Sequence, residues 1–168
     1  MREAIVEMDL AVDRALARVR GPALDGIVYP LSSAADHSLL WNLCGSVRAI
    51  ARGDDVGFAA RFGAAMAAES LLTNGVVKTA FRRVRPAVYD DIVFRHGLHR
   101  PITSSFPSAH ATAAFCAARL LGGGLGWYTL AAAVASTRVY IRLHHASDVV
   151  AGAAFGLVMG SALRRFVR

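Results

Sequence analysis

The sequence predicts an all-α integral membrane protein, with about five spanning helices and an amphipathic N-terminal helix lying in the membrane interface. Three observations carry this. Apolar residues make up 55% of the 168 and charged residues 18%, with a mean hydropathy of +0.41, which excludes disordered, collagen-like and strongly solvated chains. Charge-free stretches recur at lengths close to the roughly 20 residues a helix needs to cross a bilayer. Small residues cluster within them, which suits close helix packing in lipid. A chain of this length accommodates one domain, over residues 1–168.

In the opening segment Ile5, Met8, Val12, Leu16 and Val19 recur at helical spacing, while Glu3, Glu7, Asp13, Arg14 and Arg18 take the other faces. Gly21-Pro22 ends this helix. Its frequent acids and lack of a long apolar core are not those of a cleavable signal peptide, and it is expected to lie on the membrane or beside the bundle. Ser33 to Ile50 forms one span, with Arg48 and Arg52 as membrane-edge anchors. Val56 to Val77 forms the next, interrupted by Arg61 and Glu69. A carboxylate at that depth should face the protein interior with a partner; bonding to Asn74 or to another helix is preferred over a catalytic role. Thr103 to Ala118 carries no formal charge apart from His110, and Leu120 to Thr137 carries none over eighteen residues. Val149 to Leu163 adds fifteen more, with Gly152, Ala153, Ala154, Gly156 and Gly160 for close packing. Charges inside the spans keep a soluble, alanine-rich bundle open as the alternative.

The net charge of +7 would suggest nucleic acid in a hydrophilic chain. Here residues 1–77 are slightly acidic and the whole excess lies in 78–168. Cys44 and Cys116 sit inside apolar stretches without metal or redox spacing and read as small buried hydrophobes. The connection from Lys78 to about Arg100 holds six of the 19 basic residues, together with His96 and His99. A loop that long is uncommon unless it is functional.

Three clusters carry chemistry. Lys78 and Arg85 lie seven residues apart, two helical turns, so a helix ended by Pro86 would place both on one face. A lysine point charge and a planar guanidinium converging on one spot suit an oxyanion; a positive membrane-edge belt is the plainer reading. Pro107-Ser108 before an apolar run marks a helix start, whose free amides and serine hydroxyl form an anion site. His110 sits in that first turn, placed to give or take a proton. Finally, Arg138, His144 and Asp148 end one apolar run and begin the next. Asp148 can accept an imidazole N–H, fix the tautomer and raise the basicity of the other nitrogen, or serve as a helix cap. With an even number of crossings between them, all three clusters fall at one membrane face.

The patterns Lys78-x6-Arg85-Pro86, Pro107-Ser108-x-His110 and Arg138-x5-His144-x3-Asp148 resemble the three motifs of the type-2 phosphatidic acid phosphatase superfamily, in order and with intact spacing. Members include membrane lipid phosphatases and, on a related site, vanadium haloperoxidases. The helical pattern extends the likeness over roughly residues 33–165. The resemblance implies that His144 is a nucleophile forming a phosphohistidine, that Asp148 orients it, and that His110 protonates the leaving group and then helps activate water. It implies that Lys78, Arg85, Arg138 and the Ser108–Ala109 region hold the phosphate oxygens, with no metal and no other cofactor. Thr137, Ala109 and Leu143 depart from the commoner serine, glycine and glycine of the motifs, without removing a reacting group.

The function expected is that of a multi-pass cell-membrane phosphatase. It would hydrolyse a phosphomonoester or pyrophosphate of a lipid: phosphatidic acid, phosphatidylglycerol phosphate, or a polyprenyl phosphate or diphosphate. Its partners are then the lipid phosphate and the bilayer, and not nucleic acid. The rivals are a non-enzymatic protein binding anionic lipid heads, a vanadate-dependent peroxidase on the same pocket, and a metal hydrolase using the histidines, which the surrounding cations oppose. Arg95, His96, His99 and Arg100 read as residues of the pocket mouth, and His145 as structural. Arg48, Arg52, Arg119, Arg164, Arg165 and Arg168 lie at the opposite face. The positive-inside rule assigns that face to the cytoplasm and the site to the extracytoplasmic side.

Overall fold

The computed structural model describes residues 2–54, 56–86 and 103–168. Among them the chain is helical, without strands: α1 (Arg2–Ala17), α2 (Pro22–Ala34), α3 (Leu39–Arg52), α4 (Val56–Ser70), α5 (Ala109–Leu120), α6 (Leu125–Tyr140) and α7 (Ala146–Val167). A π turn (Leu71–Val76) and a 3-10 turn (Val77–Ala80) continue α4. The readings for Arg95, His96, His99 and Arg100 lie outside the described residues.

α1 follows the expected periodicity but stops at Ala17, short of Val19, so Pro22 is not what ends it. Pro22 occupies the first turn of α2, where its fixed φ and missing N–H are no handicap. The sequence reading had assigned no element there. The span expected over Ser33 to Ile50 is divided by a 3-10 turn at Asp36–Ser38, where His37 and Ser38 take positive φ values of 52° and 58°.

α5 occupies the centre, packed by α4, α6 and α7. Ala111, Ala114, Cys116, Ala117 and Ala118 are all fully buried, so this charge-free run is a protein-enclosed core helix. Only α7, among the described residues, is long and apolar enough to cross a membrane; α5 has 12 residues, α3 has 14 and α6 has 16. The α5–α7 contact rests on three glycines. A Cβ on Gly152 would lie 2.5 Å from the Ser108 carbonyl oxygen, one on Gly156 2.3 Å from that of Thr112, and one on Gly160 2.9 Å from that of Cys116. The two backbones therefore touch along three turns.

α3 is apolar on both sides: Trp41, Gly45 and Ala49 face the core, and Leu39, Leu43, Val47 and Ile50 are exposed. Asn42, Ser46 and Arg48 lie between these exposed apolar side chains. Arg48 donates to Asp54 at 3.0 Å and stacks over Phe58 at 4.4 Å. Glu69 is buried and accepts from Thr73 Oγ1 at 2.8 Å. Asn74, one of the two partners expected from sequence, is exposed and bonds Ser70 instead; Thr73 faces the core one turn after Glu69. α1 packs beside the bundle through Asp13, which accepts from Arg20 at 2.8 Å and from Arg142 at 3.0 and 3.2 Å.

Candidate active site

Helix starts and ends supply the site at one end of the bundle. Ser108 caps α5: its Oγ accepts from the Ala111 amide and its carbonyl from Thr112. Its own N–H donates to the Asp148 carbonyl at 3.0 Å, locking the starts of α5 and α7 together. The first-turn amides of Ala109 and His110 have no partner among the described residues, and helix geometry points such amides outward at an anion.

α6 ends at Tyr140, and the chain turns back through Arg142 at φ 57°. The amides of Leu143 and His144 both donate to the Arg138 carbonyl at 3.1 Å, which sets His144 beside its own motif arginine. The Arg138 guanidinium is buried and donates to Ser32 on α2.

The expectation of one helical face for Lys78 and Arg85 is overturned. Lys78 lies within the 3-10 turn, and the chain is extended at Phe81 and not helical from there to Pro86. A residue before proline disfavours the α region, which turns Arg85 away from helix. Partners elsewhere hold the non-helical form: the Arg83 N–H donates to Ser104 Oγ at 3.1 Å and the Ser105 N–H to the Arg83 carbonyl at 3.0 Å. The two cations still converge. Arg85 Nη1 donates to the Leu143 carbonyl at 2.6 Å and lies 3.2 Å from His144 Nε2, while Lys78 Nζ lies 3.5 Å from Thr103 Oγ1.

The Arg85 contact assigns the tautomer of His144. A guanidinium has no lone pair to offer, so Nε2 must accept and the proton sits on Nδ1. Nδ1 faces Asp148 Oδ2 at 3.7 Å, longer than a hydrogen bond. The bond expected between them is thus not formed in this state, although the two groups face each other. Asp148 Oδ2 accepts instead from the His145 N–H at 2.9 Å, and Oδ1 from Arg83 Nη1 at 2.7 Å. Of the two sequence readings of Asp148, the cap is the one seen here, since it fastens the first turn of α7. His145 Nε2 lies 3.2 Å from the Val84 carbonyl, in keeping with a structural role.

Burial, with Arg85 and Arg138 nearby, depresses the His144 imidazole to a pKa of about 3 against the pull of Asp148. His144 is therefore neutral at physiological pH, the form a nitrogen nucleophile requires. Burial and the same two arginines bring the Lys78 ammonium down to about 8. Because the charged form binds an anion, kcat/KM is expected to fall as pH rises through about 8. Lys78→Arg should move that alkaline limb upward, and a pH–rate profile of the two proteins checks it.

Three residues at the site escaped the sequence reading. Asp36 holds His110, with 2.8 Å between Oδ1 and the ring Nε2; a carboxylate inside an otherwise apolar span was the available sign. Arg83 and Asp9 are the others: Arg83 bonds Asp148 and, at 2.7 Å, Asp9. Thr137, where the motif commonly has serine, spends its hydroxyl on the Val134 carbonyl at 2.6 Å. With its cations gathered around helix-start amides, the donor set suits a phosphate-like anion and would repel a divalent cation.

A family model described as PAP2 superfamily matches residues 58–168, the segment that holds all three clusters. The chain belongs to the PAP2 superfamily. Two curated relatives, the decaprenylphosphoryl-5-phosphoribose phosphatases of Mycobacterium tuberculosis strains CDC 1551 and H37Rv, are each 35% identical over 89 residues. That alignment takes in 51% of this chain and 49% of theirs, so the chain spans about half the length of the curated relatives it matches. A transmembrane PAP2 type phosphatidylglycerolphosphate phosphatase from Bacillus subtilis superposes with a TM-score of 0.76, at 22% identity, over 97% of this chain and 86% of that one. The PAP2 helical fold is therefore shared across nearly the whole chain.

Proposed function

We propose that this PAP2 protein is a lipid phosphatase that works through a phosphohistidine. The observation that carries the reading is His144: its Nε2 is unprotonated and 3.2 Å from the Arg85 guanidinium, with Asp148 behind the other nitrogen. Nε2 attacks phosphorus while the phosphorus–oxygen bond to the lipid breaks. His110, entering the step as the imidazolium that the Asp36 carboxylate and the bound phosphate favour, gives one proton to the departing oxygen. Asp36 occupies Nε2 of that ring, so Nδ1 is the nitrogen that exchanges the proton. Water then attacks the phosphohistidine, loses a proton to His110, and the phosphorus–nitrogen electron pair returns to Nε2 as inorganic phosphate leaves. Lys78, Arg85, Arg138 and the Ala109 and His110 amides stabilise the equatorial oxygens throughout.

The preferred substrate is a phosphomonoester on a polyprenyl-linked lipid, favoured by the name carried by the 35% identical relatives. Phosphatidylglycerol phosphate, phosphatidic acid and polyprenyl diphosphates are the next to try. Membrane residence is supported by α7, by the exposed apolar side of α3 and by the transmembrane neighbour. In this reading the bundle crosses the membrane about five times as a single domain. At the end opposite His144 a cavity of about 610 Å³ is lined by Arg48, Arg52, Arg61, Arg164 and Arg168, with Asp54 among them. Guanidinium groups gathered there favour the cytoplasm for that end and the extracytoplasmic side for the site.

The test is phosphate release by the purified full chain in detergent, with EDTA present, over that lipid panel. Release from at least one lipid, undiminished by the chelator, is expected because cations do the neutralising. Activity that returns only with added divalent metal would refute the cation-only mechanism.

A further inference from the structure

Asp9 lies outside the segment matched by the family model, on a helix that the sequence places at the membrane interface. It is nevertheless the buried residue of α1, its side chain 3% exposed. Its Oδ1 accepts from the Ser147 amide at 2.8 Å, and its Oδ2 accepts from the Ser147 hydroxyl and from Arg83 Nη2, both at 2.7 Å. Arg83 Nη1 in turn donates to Ser147 Oγ and to Asp148 Oδ1, both at 2.7 Å. One guanidinium thus bridges two carboxylates, and Ser147 closes the ring between them. A carboxylate so enclosed is tolerated only when fully bonded, and every bond given to Asp9 leads to the start of α7.

The charge balance shows what this arrangement does. An arginine serving Asp148 alone would form a neutral pair and mute the field Asp148 exerts on His144. Shared with Asp9, the same arginine leaves the three groups with one net negative charge. Oδ1 of Asp148 is held in place while Oδ2 still presents charge to the imidazole. We infer that Asp9 is a positioning residue of the phosphoryl-transfer site, acting through Arg83 and Ser147 on Asp148 and so on His144. This rests on His144 being the nucleophile.

Asp13 provides the comparison, since it ties the same helix down through Arg20 and Arg142 and bonds neither Asp148 nor its partners. In the purified full chain, Asp9→Asn is expected to lower kcat about 10- to 100-fold, the scale on which outer partners of metal-ligating side chains act, with KM little changed. Orthovanadate, which must take a bond from the nucleophile nitrogen, should inhibit this variant more weakly by a similar factor. Inorganic phosphate, which needs only the cations, should inhibit as before. Asp13→Asn should lower thermal stability without separating the two inhibitors. Asp9→Asn with kcat and vanadate inhibition as in the parent, or with losses equal to those of Asp13→Asn, would overturn the inference. If Asp9→Asn does not accumulate, Arg83→Lys asks the same question, because a lysine cannot bridge both carboxylates with one planar group. Its kcat and vanadate inhibition should fall together, and parental values would overturn the inference. An active His144→Ala would instead defeat the underlying reading, whatever Asp9→Asn does.

Discussion

Alanine in place of His144 is expected to reduce phosphate release by at least about 10⁴-fold, the scale seen when a covalent nucleophile is removed. The pocket itself should survive. Arg85 keeps its bond to the Leu143 carbonyl, Asp148 keeps the His145 amide and Arg83, and Ser108 keeps the Asp148 carbonyl. Lipid and phosphate should therefore still bind while turnover stops. The parent enzyme, quenched during turnover, should yield a label stable in base and labile in acid, as a phosphorus–nitrogen bond is. Turnover within about tenfold of the parent would remove His144 from the reaction as its nucleophile.

The second large effect is structural and lies far from the motif residues. Gly156→Leu should destabilise the protein by on the order of 3 kcal/mol or more, at or beyond the upper range for overpacked cores. Even a methyl group there would sit 2.3 Å from the Thr112 carbonyl oxygen and 3.0 Å from the Cys116 nitrogen, both backbone atoms of α5. Neither can swing aside as a side chain would, so α5 and α7 must part. Those helices carry His110 and Asp148 on their first turns, and separation breaks the Ser108–Asp148 backbone bond. Activity should fall with stability. Gly126→Ala is the control: a Cβ there meets nothing within 4 Å, and it should unfold at the parental temperature or slightly above. Thermal unfolding in detergent decides, and a stable Gly156→Leu would mean that the two helices are not in contact there.

Much of the site was legible because its chemistry is concentrated in short runs. Ser108 and His110 share one helix start, and Arg138, His144 and Asp148 straddle one helix break, so local spacing sufficed to group them. Lys78 and Arg85 were grouped correctly for a reason that failed. Seven residues are two helical turns, yet the chain between them leaves the helix at Phe81, and tertiary bonds to Ser104, Ser105 and Leu143 bring Arg85 in. Hydropathy left the surroundings of α5 undecided for a related cause. An alanine-rich, charge-free run looks alike whether lipid or protein surrounds it, and here protein does.

The sequence by itself determined the helical class, the small-residue stripe on α7, the order of the three clusters and which groups are proposed to meet a phosphate. Those are properties of composition and of spacing within one element, which a chain carries before it folds. Only the tertiary structure decided the partners. Asp36 reaches His110 across 74 residues, Asp9 reaches Arg83 across 74, and Arg83 reaches Asp148 across 65. No periodicity marks such pairs. They exist because buried carboxylates and guanidinium groups must be paired, and the packing of α1, α2 and α7 settles which finds which.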